Sequence, residues 1–301
     1  MKPKSSGIWF AVISPFLSSI ATVLSATATK LLAPIFVSGI GGIIGSLILF
    51  SSMLISKEKI DLHKIKRNFK DLLKMILIRG VFGSAFLSIG LYLTDGIRAI
   101  LFTKMEPYFV LGWHWLLLRE KIQKRHLILL TTHIIGAIIL STGGSFVSFG
   151  RSQLGDLFVI LAMVLFALSY IYGRKLSQNL GARTPTMITT GIGGLILLPI
   201  SLFFISSHVW DVTSVGWLYL ISSTILFNVF GLTFWFASLK TVKGWMVSAF
   251  RSLGPIAGMP FAYFFFGETL SLIQITGGVI VLITSALIAR EHLRSENSKL
   301  K

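Results

Sequence analysis

The sequence predicts an all-α integral membrane protein of ten transmembrane helices, arranged as two inverted five-helix repeats. Composition is the first observation behind this: of 301 residues, 53% are hydrophobic and only 13% charged, and mean hydropathy is +0.81. Ten apolar runs are the second, each close to the roughly 20 residues that carry a helix across a hydrocarbon core of about 30 Å. The third is a self-similarity of the chain at an offset of 148 residues.

In chain order the runs are Ile8 to Leu32, Ala33 to Ile55, Met75 to Leu93, Ile97 to Leu118 and His126 to Val147 in the first half. Leu154 to Arg174, Thr184 to Ile205, Val215 to Leu239, Gly244 to Phe266 and Leu270 to Ala289 follow in the second. The first run follows Met-Lys-Pro-Lys and is too long for a signal-peptide core, so it reads as a span. The longest polar stretch, Ser56 to Lys74, mixes Lys with Asp and Glu and predicts a short surface helix. The halves divide into residues 1–150, the first five-helix repeat, and 151–301, the second, inverted repeat with a short basic tail.

A formal charge of +17 on a soluble chain would suggest nucleic acid, but such proteins keep a polar surface. The distribution of the charge explains it without that partner. With the N-terminus inside, 22 of the 28 Lys and Arg fall on cytoplasmic segments, three (Lys30, Arg98, Arg151) fall outside, and three (Arg79, Lys104, Arg251) lie within spans. This bias predicts a multi-pass protein of the cell membrane with both termini cytoplasmic. The expected surroundings are the lipid bilayer, with no nucleic acid.

The 148-residue offset aligns Gly7 with Gly155, Phe86 with Phe234, Leu91 with Leu239, Gly96 with Gly244, Phe102 with Phe250, Pro107 with Pro255 and Glu120 with Glu268. One gap-free register over both halves predicts a duplication. Because five is odd, the second copy crosses the membrane in the opposite sense, and alternating access follows naturally from that arrangement.

A Pro in the fourth span of each half, with a Glu thirteen residues later and a Gln-x-x-Gly opening the fifth, resembles the drug/metabolite transporter superfamily and its EamA-like members. The residues are Leu253-Gly254-Pro255, Phe266-Gly267-Glu268-Thr269-Leu270 and Gln274-Ile275-Thr276-Gly277 in the second half. The first half departs at its fifth span, where His126 and Leu129 replace Gln and Gly. Phe102-Thr103-Lys104-Met105-Glu106-Pro107-Tyr108-Phe109 is also similar to the fourth-span segment of sugar-phosphate/phosphate translocators. That likeness implies a phosphate contact at Lys104, with Arg251 standing near the matching ninth-span cations.

The residues point independently to a central polar site. A Lys or Arg at the bilayer centre costs about 2.5–3.5 kcal/mol on insertion scales, so such groups persist where they face a cavity or a partner. Lys104, Glu106 and Arg251 lie midway along their spans, beside helix breaks at Pro107 and Pro255. Asn228 and Trp235 join them as candidate substrate-binding residues of the eighth span. Other readings stand beside this one: Glu106 and Arg251 as a structural ion pair, Lys104 snorkelling to the interface, and His114 and His133 as packed helix residues. Arg79, one turn inside the cytoplasmic interface in this reading, is expected to snorkel and stays outside the site. Gly41-x-x-x-Gly45 and Gly254-x-x-x-Gly258 are expected to make intramolecular crossings, with a homodimer face as the alternative.

No nucleophile motif, paired carboxylates or phosphate-binding glycine loop occurs, so no enzyme activity and no cofactor or metal are expected. The expectation is a secondary transporter of a small polar metabolite, an amino acid or organic anion. The alternatives are a sugar-phosphate/phosphate-type exchanger and, from another class, a channel or a non-transporting membrane receptor.

Overall fold

The computed structural model describes residues 3–93, 102–103, 105–119, 123–143, 153–203, 214–254 and 271–297, and all described elements are helical. The first half holds α1 (Pro3–Leu31), α2 (Pro34–Ile55), a short surface helix α3 (Leu62–Arg67) and α4 (Phe69–Met75). A π-helical turn (Ile76–Gly83) joins α4 to α5 (Ser84–Leu93), and α6 (Glu106–Leu118) and α7 (Lys124–Thr142) complete the half. The second half holds α8 (Gln153–Leu180), α9 (Arg183–Leu202) and α10 (Ser214–Thr224). A second π-helical turn (Ile225–Gly231) leads to α11 (Leu232–Leu239), α12 (Gly244–Phe250) with a 3-10 turn (Arg251–Leu253), and α13 (Leu272–Asn297).

Among the described residues, five helical segments are long and apolar enough to cross a membrane. They are Pro34–Ile55, Phe69–Gly90, Gln153–Leu180, Arg183–Leu202 and Ser214–Leu239. The third span therefore begins at Phe69, six residues before the Met75 start expected from hydropathy. The predicted surface helix exists as α3, opened by Asp61, whose side chain accepts a hydrogen bond from the Lys64 backbone N–H at 3.0 Å.

Duplication is visible in local geometry. The two π-helical turns end at Gly83 and Gly231, which the 148-residue offset places opposite one another. The halves interlock by exchanging partners: α1 packs along α10, the second π turn and α11, while its counterpart α8 packs along the first π turn and α5. α2 pairs with α9, α6 with α12, and α7 with α13. Such reciprocity is what a two-fold relation between halves requires.

The α2–α9 seam brings backbones together. A Cβ on Gly42 would lie 2.6 Å from the Thr190 carbonyl oxygen, and one on Gly194 only 2.5 Å from that of Gly39. Gly41 and Gly45 face Thr224 and Asn228 of the eighth span, so this motif makes an intramolecular crossing, and Gly254 likewise packs on Ser19 of α1. Despite Leu129, the fifth span packs closely on the tenth, through Gly136 against Ile280 and Gly277 against Leu140.

The two ends of the bundle are finished differently. At the end where α4 meets α8, Lys175 pairs with Asp71 at 2.7 Å, Asn179 donates to Asn68 at 2.7 Å, and Arg183 pairs with Glu58 at 3.1 Å. At the other end Ala28, Leu32, Phe36, Val37 and Leu220 form an apolar cluster. In the largest core cluster Val110 and Leu111 of α6 join Tyr170 of α8, Trp235 and Phe236 of α11 and Phe250 of α12.

Candidate functional site

The fourth span carries the first acidic member. Pro107 sits in the opening turn of α6, where its missing N–H leaves no helical bond unmade. The break thus precedes the proline, at Met105, where the sequence reading has a kink inside a continuous span from Ile97. Glu106 begins the helix and is 3% exposed. Its Oε1 accepts from Arg251 Nη1 at 3.2 Å, joining the fourth span of one half to the ninth of the other. Arg251 stands where α12 tightens into the 3-10 turn, so the charge pair links two helix breaks at related positions in the repeat.

Lys104 and Pro255, both read from the sequence as site or helix-break positions, lie outside the described residues. Asn228 is half-buried on the second π turn, and its Nδ2 donates to the Gly41 carbonyl at 3.1 Å. Trp235 is 2% exposed in the core. Of the sequence-predicted residues, the structure therefore joins Glu106 to Arg251 and places Asn228 on the α2 seam.

A further residue, Arg79, corrects the sequence reading. With the third helix starting at Phe69, Arg79 lies ten residues in, beyond the exposed Lys70 and Lys74 of its first turns. Its side chain does not snorkel; the residue is 5% exposed. The guanidinium lies 4.3 Å from the Trp235 ring centroid and 4.8 Å from that of Phe166, between aromatic side chains of the eighth and sixth spans. Nη1 donates to Ser169 Oγ at 3.2 Å, and the Ser169 hydroxyl in turn donates to the Phe166 carbonyl. The π turn places this side chain: Ser84 Oγ donates to the Arg79 carbonyl, as a widened turn with displaced backbone bonds requires.

Tyr170 sets its ring edge-on to Trp235 at 5.0 Å and 83°. Among the described residues the Tyr170 hydroxyl and Trp235 Nε1, both buried, make no hydrogen bond of full geometry, although the hydroxyl lies close to Trp235 Nε1 and to the Arg251 guanidinium. Leaving such a group unmatched costs about 1–3 kcal/mol. Glu106, Arg251 and Tyr170 all lie within electrostatic reach of Arg79, yet among the described residues the only carboxylate in this cluster is committed to Arg251. Tyr170, Phe166 and Ser169 carried no usable sequence signal; Arg79 did, had the helix start been placed correctly.

The histidines are structural links. His133, fully buried, bridges Thr284 Oγ1 of α13 and the Ala249 carbonyl of α12, each at 2.7 Å. His114 Nδ1 lies 2.8 Å from the Val110 carbonyl of its own helix. Among the described residues no three His, Asp or Glu converge as a metal site would require.

Comparison with known proteins agrees with this architecture. The chain is similar to the uncharacterized transporter YetK of Bacillus subtilis, 25% identical over 73% of this chain and 72% of that one. It is similar to the pseudopaline exporter CntI of Pseudomonas aeruginosa, 22% identical over 95% of this chain and 96% of that protein. A probable amino-acid metabolite efflux pump of Salmonella typhimurium is 24% identical over 67% and 70% of the respective chains. A solved crystal structure shares the fold, with a TM-score of 0.79 over 97% of this chain and 99% of the other at 17% identity. The profile of the EamA-like transporter family matches twice, at residues 5–142 and 153–290, each bound of the second match lying 148 residues beyond that of the first. The chain therefore belongs to the EamA-like transporter family of the drug/metabolite transporter superfamily: it is a multi-pass membrane transporter and not an enzyme.

Proposed function

We propose that this transporter is a secondary carrier of a small polar metabolite, an amino acid or organic anion, moved by alternating access between its inverted halves, residues 1–150 and 151–301. The observation that carries this reading is the charged cluster where the halves meet: the buried Arg79 and Glu106 from the first, the half-buried Arg251 from the second. Two cations against one carboxylate leave an excess positive charge, which in a low-dielectric interior favours an anionic or zwitterionic ligand over a lipophilic cation. The relatives described as a pseudopaline exporter and an amino-acid metabolite efflux pump support a metabolite cargo and the export direction. The 22-to-3 distribution of Lys and Arg supports cytoplasmic placement of both termini.

Reconstitution in liposomes tests this. Counterflow of labelled amino acids and hydroxy acids is expected for at least one member of the set. Transport confined to cationic amines, or a conductance that persists without exchange, would overturn the carrier reading.

A further inference from the structure

We infer that Arg79, Tyr170 and Trp235 form the subsite that holds a carboxylate group of the cargo; this rests on the reading of the chain as a carrier of anionic or zwitterionic metabolites and gives that reading an address. Arg79 is flanked by the Trp235 and Phe166 rings, and among the described residues one of its N–H groups is spent, on Ser169 Oγ. Its remaining donors therefore lie in the guanidinium plane, at its edge. The Tyr170 hydroxyl and Trp235 Nε1 are buried in the same cluster, and among the described residues neither makes a hydrogen bond of full geometry. Each of these groups can donate, and Glu106, the carboxylate of this cluster among the described residues, gives its Oε1 to Arg251.

A ligand that completes such a set brings negative charge and two coplanar acceptor oxygens, which is the geometry of a carboxylate on a guanidinium edge. Arg79, Arg251 and Glu106 together carry one surplus positive charge, which a monoanion neutralises. The cluster draws on the third, sixth and eighth spans, so a group bound there touches both halves at once. A substrate held in this way senses the relative position of the halves.

The test uses the purified full-length protein and its thermal unfolding with added ligand. The carboxylate probes are benzoate, malate and L-leucine; benzylamine and L-leucinamide are counterparts lacking the carboxylate, and glycerol 3-phosphate represents phosphate esters. At least one carboxylate is expected to raise Tm saturably while its counterpart does not. Arg79→Gln should abolish that shift, and Arg79→Lys should weaken apparent affinity by about tenfold or more, because a point charge cannot replace the bidentate edge. Tyr170→Phe and Trp235→Phe each remove one donor and should weaken it by roughly 3- to 10-fold; the ligand-free Tm should hold in Tyr170→Phe and fall in Trp235→Phe, which also leaves core volume empty. They carry the test if Arg79→Gln does not fold.

Unchanged affinity in the Arg79, Tyr170 and Trp235 variants overturns the subsite. So does a wild-type protein stabilised by glycerol 3-phosphate alone or by no carboxylate. Counterflow separates this from the carrier reading: carboxylate transport that survives Arg79→Gln sinks the subsite and leaves the carrier. Arg79-dependent binding without any transport sinks the carrier and leaves the subsite.

Discussion

Two arginines are held inside this bundle, one in each half, and the protein accommodates them in opposite ways. Arg251 spends its edge on Glu106 and closes an ion pair across the halves. Arg79 has its guanidinium beside Phe166 and Trp235 and, among the described residues, gives one N–H, to Ser169. Electrostatically, the first is a neutral unit and the second is a charge softened by aromatic quadrupoles. The contrast teaches that a carboxylate partner consumes the donors a ligand would use, whereas an aromatic sandwich stabilises the cation without consuming them.

Removing charge from each site breaks the comparison most directly. Glu106→Leu leaves Arg251 without its partner and is expected to cost about 3 kcal/mol, the lower end for a broken buried pair because the guanidinium side chain keeps 28% exposure. Arg79→Met strands no opposite charge and keeps a flexible chain between the rings, so it should change stability by less than about 1 kcal/mol. Chemical denaturation of both variants reads the difference. Equal losses would mean that Arg79, too, is held by an essential structural partner.

A smaller effect comes from the π turns that position the two faces of the bundle. A Cβ on Gly83 would lie 2.5 Å from Phe166 Cε1, whereas at the equivalent Gly231 the nearest atoms, Leu226 O and Ser18 Oγ, are at 3.0 and 3.1 Å. Gly83→Ala should therefore cost about 1–3 kcal/mol by overpacking, and Gly231→Ala less than about 1 kcal/mol. The tryptophan fluorescence of Gly83→Ala should also shift, because displacing Phe166 disturbs Arg79, which lies near both that ring and Trp235. Reversal of that order would show that the repeats do not differ in the way the two arginines suggest.

The smallest effect calibrates both against a charge in water. Asp61 is exposed, and its carboxyl is held below the ordinary value of 3.8, chiefly by the Lys64 backbone N–H it accepts from. A lowered folded pKa means that its contribution to α3 is complete at neutral pH and fades only as pH falls below that ordinary value. Amide exchange at Lys64, followed from pH 7 to pH 3, should show protection lost only at the acid end, and Asp61→Ala should remove it at every pH. Global Tm should not follow either change.

Hydropathy made the spans legible because bilayer thickness dictates the length of every apolar run, and the 148-residue register made the halves legible because duplication preserved its prolines and glycines. The third-span boundary was not legible. Lys70, Asp71 and Lys74 look like loop residues, yet they form the first turns of the helix, with Asp71 held by Lys175 of the other half. That six-residue difference made Arg79 look like an interfacial residue and hid a buried member of the site's chemistry. The π turns have no hydropathy signature, since one extra residue per turn leaves an apolar segment apolar. Nor does a single sequence distinguish the buried Tyr170 or Phe166 from aromatic residues facing lipid. The Glu106–Arg251 relation was more accessible, because two opposite charges at matching depths in helices related by the repeat have few other places to go.

The cage around Arg79 also has a timetable. Arg79 is synthesised first; its hydrogen-bond partner Ser169 follows 90 residues later, and Trp235 later still. At about 5–20 residues per second, the ribosome delivers the first of these roughly 5–20 s after the arginine itself. During that interval the third span carries a cation, a group that costs up to about 2.5–3.5 kcal/mol at the bilayer centre, with no aromatic ring from the second half to shield it. The first half therefore leaves the ribosome with one helix poorly suited to lipid, and its final seating is a late event in biogenesis that waits for α8 and α11 to arrive.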